Sequence, residues 1–361
     1  MPAGYPATRP RAWQRVPQSL ASFALLLSFA ARAATFPNLY SVTVNQDPAA
    51  ADQRAAATGA AFAVMLVRVT GNRYAGLDPA LGPLIKDASR YTTQYGTDRQ
   101  GRAIVGFNAT RVDQALAGLN VRIWGLERPL TLIWIAADDG QGGRALLGSG
   151  DPPAAATPAT VDLLAMLRTE LAAVADERGL PLVLPQLDAD DLAAVTFDDV
   201  AGGRDDRVTA ASARYRADAV LIGRLHPGLV GNEVEWLLFK DGERRMLEGT
   251  AVRDGLDAVS DQYASELSVI GGATTSRLRV LDVATPADYG RVMSYLERVS
   301  SLQSVDVESL ERGTLTVRVA ARGDAKVLQR VLAFGGVLRP DSAAPAGGAL
   351  VFRIASPEAR Q

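Results

Sequence analysis

A chain with an export signal and not one cysteine must hold its shape with buried apolar surface and hydrogen bonds, without a covalent staple. Arg9, Arg11 and Arg15 precede an apolar run over 20–31, and Ala31 and Ala33 flank Arg32 in a small-residue cleavage pattern. Residues 1–33 therefore read as a cleaved signal peptide, and the periplasm as the destination. The apolar run is well short of the roughly 20 residues that span a bilayer, and no later stretch approaches that length. No transmembrane anchor is expected once the signal is gone. The missing thiols also exclude a lipid-attachment cysteine, a thiolate nucleophile and cysteine-held metal.

An apolar fraction of 48% against 22% charged residues is that of ordinary globular protein. With 361 residues, at roughly 100–200 per domain, the chain suffices for two or three cores. Removing the four arginines of the signal from a formal charge of −2 leaves the mature chain near −6. There is no dense basic run, so nucleic acid is excluded as a partner, because duplex binders neutralise phosphates with a basic face.

Two stretches, 140–156 and 271–276, read as linkers. They divide the mature chain into an N-terminal α/β domain (34–139), a middle α/β domain (157–270) and a C-terminal domain (277–356). The expected fold class is α/β and α+β in three small modules, each with its own core. The first has a strand at 39–44, an alanine-rich helix to about Val69 stopped by Gly71, and a strand at 103–107. A short helix with Val112, Leu116 and Leu119 on one face follows, and then a continuous apolar strand, 130–136, that reads as buried on both faces. The second opens on the clearest helix of the chain. Thr157 caps it, Pro158 takes its first position, Leu163, Leu164, Leu167, Leu171 and Val174 form one stripe, and Gly179 ends it. A strand at 181–187, an acidic segment, a helix over 205–215, three antiparallel strands between 217 and 251 and a helix over 256–269 complete that module. Gly223, inside one of these strands, marks a bulge or a close backbone approach.

The third module alternates most regularly. A strand at 278–283 leads to a helix capped by Thr285, then to half-buried strands carrying Val305 and Val307, and Leu315, Val317 and Val319. A helix capped by Asp324 and a strand at 350–354 close it. The order βαββαβ is ferredoxin-like.

Catalytic chemistry finds few footholds. His226 is the sole histidine, which removes zinc sites and triads that need two imidazoles, or one beside a placed nucleophile. The acids Asp188, Asp190, Asp191, Asp198 and Asp199 lack the spacing and glycine of a calcium loop and read as helix caps. No phosphate-cradling glycine loop or serine elbow occurs, so no metal or cofactor is expected. Strands 278–283 and 314–320 carry no aromatic for stacking RNA bases. The candidate binding residues are Trp124, in a loop with Gly125 and Arg128-Pro129, Arg128 itself, and Arg224 and His226 at a strand end. Trp134 and Trp236, inside apolar strand patterns, read as core.

The segments 66–72 (LVRVTGN), 123–129 (IWGLERP) and 217–225 (ADAVLIGRL) resemble those of a proteobacterial secreted family catalogued as a domain of unknown function, number twenty sixty-six, over about 39–269. The resemblance implies export to the envelope and no assigned activity. The second module is also loosely similar to α/β domains of periplasmic assembly factors, including the amino-terminal domain of the Tol translocation protein and outer-membrane activators of peptidoglycan synthases. That likeness implies protein contact rather than catalysis.

Export, modularity and missing chemistry lead to a non-enzymatic periplasmic adaptor or assembly factor that binds envelope proteins through a module surface or edge strand. The alternative is a small-ligand or glycan-binding protein with a cleft between the first two domains, beside Trp124 and Arg128.

Overall fold

The computed structural model describes residues 34–36, 39–229, 231–270, 273–322, 325–341 and 349–355. The signal segment 1–33, Gly271-Gly272 and the cap Asp324 lie outside them. The first segment holds β1 (Ala34–Thr35), β2 (Ser41–Val44), α1 (Gln53–Thr70), α2 (Gly82–Lys86), β3 (Thr92–Thr97), β4 (Ala103–Phe107) and α3 (Ala109–Gly118). β2, β4 and β3 form an antiparallel sheet with β4 central. α1 starts where the Asp52 carboxylate accepts from the Ala55 N–H and stops at Gly71, whose φ of 69° is left-handed and free of strain without a Cβ. Its buried face, with Phe62, Met65 and Leu66, meets Val42, Val105 and Phe107. Asn108 caps α3, and Val112 and Leu116 are buried as its spacing implies; Leu119 follows the last turn and is exposed. β3 is a polar TTQYGT run at a sheet edge, without the apolar alternation that announces a strand.

The middle segment runs through β5 (Glu127–Arg128), β6 (Thr131–Asp138), β7 (Arg144–Leu146), α4 (Pro158–Arg178), β8 (Leu182–Val183), α5 (Ala189–Ala194), α6 (Phe197–Ala201) and α7 (Asp205–Ser212). β9 (Ala219–Pro227), β10 (Asn232–Lys240), β11 (Glu243–Met246) and α8 (Val252–Leu267) follow. One sheet has the order β11-β10-β9-β6-β7, with β8 also on β6. This differs from the predicted division. β6, read as the end of the first domain, lies inside the middle sheet parallel to β9, and the predicted linker 140–156 contains β7. The cause is topological: a parallel partner lies beyond a crossover, so no local pattern names it. β6 is buried along nearly its whole length. Ile133 and Ile135 face a core with α4 and α8, and Leu132 and Trp134 face a second core with Val200 and Val208.

α4 carries its local signals as read: the Thr157 hydroxyl accepts from Thr160 N–H, Pro158 opens the helix, and Gly179 closes it at φ 64°. Trp236 explains two further glycines. A Cβ on Gly255 would stand 2.5 Å from its indole and one on Gly223 2.7 Å, so the expected close approach at Gly223 is that of the Trp236 ring.

The last segment comprises β12 (Ala273–Leu281), α9 (Pro286–Leu296), β13 (Leu302–Glu311), β14 (Thr314–Arg322), α10 (Ala325–Phe334), β15 (Leu338–Pro340) and β16 (Ala349–Ile354). Its sheet has the order β13-β14-β12-β16-β15, with β12 parallel to β16. The βαββαβ order is present, and β15 adds an edge strand of three residues. α9 and α10 cover one face of this sheet, and α10 also touches α8. One continuous core runs from Leu164 and Trp236 through Leu256 to Leu296, Leu315 and Leu332. The middle and last segments therefore share a core instead of burying one each.

Candidate functional site

Trp124 and Arg128 sit in the loop that leads from the first segment into β6, and both are fully buried. The Arg128 guanidinium lies over the Trp124 ring, 3.6 Å from its centroid. It donates to the carbonyls of Gly125 (2.7 Å), Arg68 (2.7 Å) and Trp124 (2.8 Å), and to those of Arg178 and Gly179 at 3.3 Å. Arg68 O belongs to the last turn of α1, and Arg178 and Gly179 end α4. One cation thus meets the negative ends of two helices, where otherwise unpaired carbonyls gather. Burial pushes Arg128 down from its ordinary pKa of 12.5 to about 9. Neither residue presents a face to a ligand, which corrects their assignment as contact residues. The loop-forming Gly125 and Pro129 were read correctly, but packing against the two helix ends decides burial.

Arg178 continues this junction. It is fully buried and donates to Asp257 (2.9 Å) and Asp261 (2.6 Å) of α8 and to the Gly71 carbonyl (2.8 Å). Arg73 and Arg253 also reach Asp257, and Arg68 pairs with Asp176 at 2.5 Å. These charges join α1, α4 and α8, and their geometry is that of a structural joint.

The other two candidates lie elsewhere, on one face of β9. Arg224 is mostly buried, donates to Val200 O (3.0 Å) and pairs with Asp205 (3.1 Å), which ties α6 and α7 to the sheet. His226 is partly exposed beside Pro227, with its Nδ1 3.3 Å from the Pro227 carbonyl oxygen. No hydrogen bond or ion pair among the described residues links either to Trp124 or Arg128. The acidic segment acts as read. Asp188 caps α5, and Asp199 closes a capping box with Thr196. Arg214 grips both oxygens of Asp188 at 2.7 Å and holds that carboxyl well below the usual carboxylate range. Among the described residues no group of three or more His, Cys, Asp or Glu side chains is placed to hold a metal ion.

A cavity of about 200 Å³ opens beside the same loop, bounded by α3, the end of α8, the 300–301 turn and the end of α10. Its wall is mostly apolar, with Ile123, Leu126, Val331 and Phe334 among its residues. The polar groups are few. Tyr40 Oη donates to Asp113 at 2.5 Å. Glu127 accepts from Ser300 Oγ at 2.6 Å and from the Ser300 N–H. Ser300 Oγ also accepts from the Leu126 N–H at 3.1 Å, and Gly125 is required there because a Cβ would stand 2.6 Å from that oxygen. The hydroxyl of Ser301 is buried without a hydrogen-bond partner among the described residues. These polar groups come from four separate stretches of chain, and of them only those at 125–127 lie in the loop that the sequence reading marked for binding.

Residues 33–125 match a family model described as "Domain of unknown function (DUF8605)". The match is consistent with an uncharacterised family over this part of the chain; its number is not the one the resemblance suggested, and its span is shorter than 39–269. It stops just before β5, ahead of the strand that the hydrogen bonding assigns to the middle sheet. No curated protein and no solved structure matches the chain.

Proposed function

We propose that the chain is a non-enzymatic periplasmic adaptor or assembly factor, exported by the cleavable signal at 1–33, that docks an acidic envelope protein on the open face of its C-terminal sheet. Its likeness to a proteobacterial secreted family and to periplasmic assembly factors belongs to this proposal. The observation that carries it is the uncovered side of the β13-β14-β12-β16-β15 sheet. Leu278 and Val280 point toward the helices and are buried, so Arg277 and Arg279 point away. Strand pairing places Arg318, Arg353 and Arg339 on that same face. Glu308 is shared by Arg277 and Arg318, and Arg353 pairs with both Asp282 and Asp341. Arg279 and Arg339 are exposed and have no ion pair among the described residues. Asp306, opposite Arg318, and Glu311, opposite Thr314, lie on the same face, so its attraction for an acidic partner is local to Arg279 and Arg339.

The small-ligand or glycan alternative loses its stacking platform with Trp124 buried. The test is a photo-reactive residue at Thr316, opposite Arg279 in the sheet, introduced into the exported protein in cells. Reproducible cross-linking to one acidic envelope protein, lost in the R279E/R339E variant, is expected. Cross-linking that survives the charge reversal, or recovery of monomer alone, overturns the proposal.

A further inference from the structure

We propose that the cavity between Tyr40, Glu127 and Ser301 binds a small amphipathic organic cation, an ammonium group on a compact apolar body. Size sets the first limit. An engineered apolar cavity of about 150 Å³ takes benzene, so about 200 Å³ accommodates roughly eight non-hydrogen atoms. The apolar wall, with Ile123, Leu126, Val331 and Phe334, suits a ring or short branched chain.

Charge sets the second limit. Two carboxylates, Asp113 and Glu127, line the cavity, and among the described residues no arginine, lysine or histidine does. Glu127 accepts from neutral donors, the hydroxyl and N–H of Ser300. The neighbouring Arg128 feels the Glu127 charge but directs its hydrogen bonds to five backbone carbonyls. An anion entering the cavity meets the like charge of Glu127, whereas an ammonium group meets an opposite one.

Ser301 supplies an independent sign. A buried hydroxyl without a partner is costly, and native structures rarely leave one so. Ser301 lines the cavity that Glu127 also lines, and an ammonium group bound there reaches the carboxylate directly and the hydroxyl oxygen after a turn about the Cα–Cβ bond. The inference does not depend on the docking face of the C-terminal sheet, which lies on the far side of α9 and α10.

The probes are benzylamine, benzyl alcohol and benzoate, of nearly equal size and opposite or absent charge, titrated calorimetrically at pH 7 into the purified protein. Benzylamine is expected to bind about tenfold more tightly than benzyl alcohol, the gain of one charge-assisted contact, with benzoate weakest. E127Q keeps an acceptor for Ser300 and is expected to bring the amine and the alcohol within about threefold. A109L fills the cavity from the first turn of α3 and is expected to abolish binding without lowering the melting temperature, which separates a filled cavity from a failed fold. Equal affinity for amine and alcohol in the unaltered protein, no binding of any probe, or binding unchanged in folded A109L overturns the inference.

Discussion

Replacing Arg128 by methionine tests whether this residue is a buried structural cation. The guanidinium makes three bonds at 2.7–2.8 Å and two at 3.3 Å, all to carbonyls. Taking about 2 kcal/mol for each short bond from a charged donor and about half that for each long one, the set contributes about 8 kcal/mol. Against it stands burial. Holding the proton on a group whose pKa falls from 12.5 to about 9 costs about 5 kcal/mol. Stacking on Trp124 at 3.6 Å adds about 1 kcal/mol. The balance predicts that R128M destabilises the protein by about 4 kcal/mol, within the range for stripping one side from a buried charged contact. Lysine keeps the charge but not the planar fork, so R128K is expected to lose about half as much. Urea unfolding followed by far-ultraviolet circular dichroism and tryptophan fluorescence measures both. An R128M protein within about 0.5 kcal/mol of the parent, the scatter of ordinary surface substitutions, would refute the reasoning, as would an R128K protein indistinguishable from it.

Two glycines and the carboxylates give further tests. Gly71 and Gly101 both have left-handed φ, 69° and 78°, but a Cβ at Gly71 collides with the Ala264 methyl while one at Gly101 meets open space. G71A is therefore expected to cost about 3 kcal/mol, strain plus overpacking, and G101A about 1 kcal/mol, strain alone; equal costs would show that crowding against α8 is not felt. Stability is also expected to fall in acid. Hydrogen bonds from Arg214 hold Asp188 below its ordinary pKa, and those from Arg277 and Arg318 do the same for Glu308. The folded state then binds fewer protons than the unfolded one in that window, so this stabilisation is complete above the unfolded carboxylate range near pH 4 and is lost as pH drops through the depressed values. Urea midpoints that stay level from pH 7 to pH 3 would contradict this.

How far the fold was legible depends on how far each signal reaches along the chain. α4 was read end to end because Thr157, Pro158 and Gly179 act within a turn of themselves. The ferredoxin-like order was legible from alternation on β12, β13 and β14, whereas β15, three residues ending in proline, is too short to alternate. The domain boundary at 139 failed because β6 pairs with β9 across α4 and three shorter helices. Trp124 was placed in its loop, yet its burial depends on the ends of α1 and α4, which no neighbour in sequence reports. The cavity was illegible for the same reason, since Tyr40, Glu127 and Ser301 meet only in the folded chain.

The junction of α1, α4 and α8 also bears on where the chain can be cut. The family match ends at Gly125, but Arg68 within it is buried against Asp176, and the Gly71 carbonyl accepts from Arg178. Both partners lie beyond the matched span. Severed at that point, the segment would lose the Asp176 carboxylate from Arg68, which keeps its bond to the Ser41 carbonyl, and the Arg178 donor from the Gly71 carbonyl. A unit of sequence inheritance is here one half of a cooperative unit of folding. In this chain the residues after 125 supply the other half.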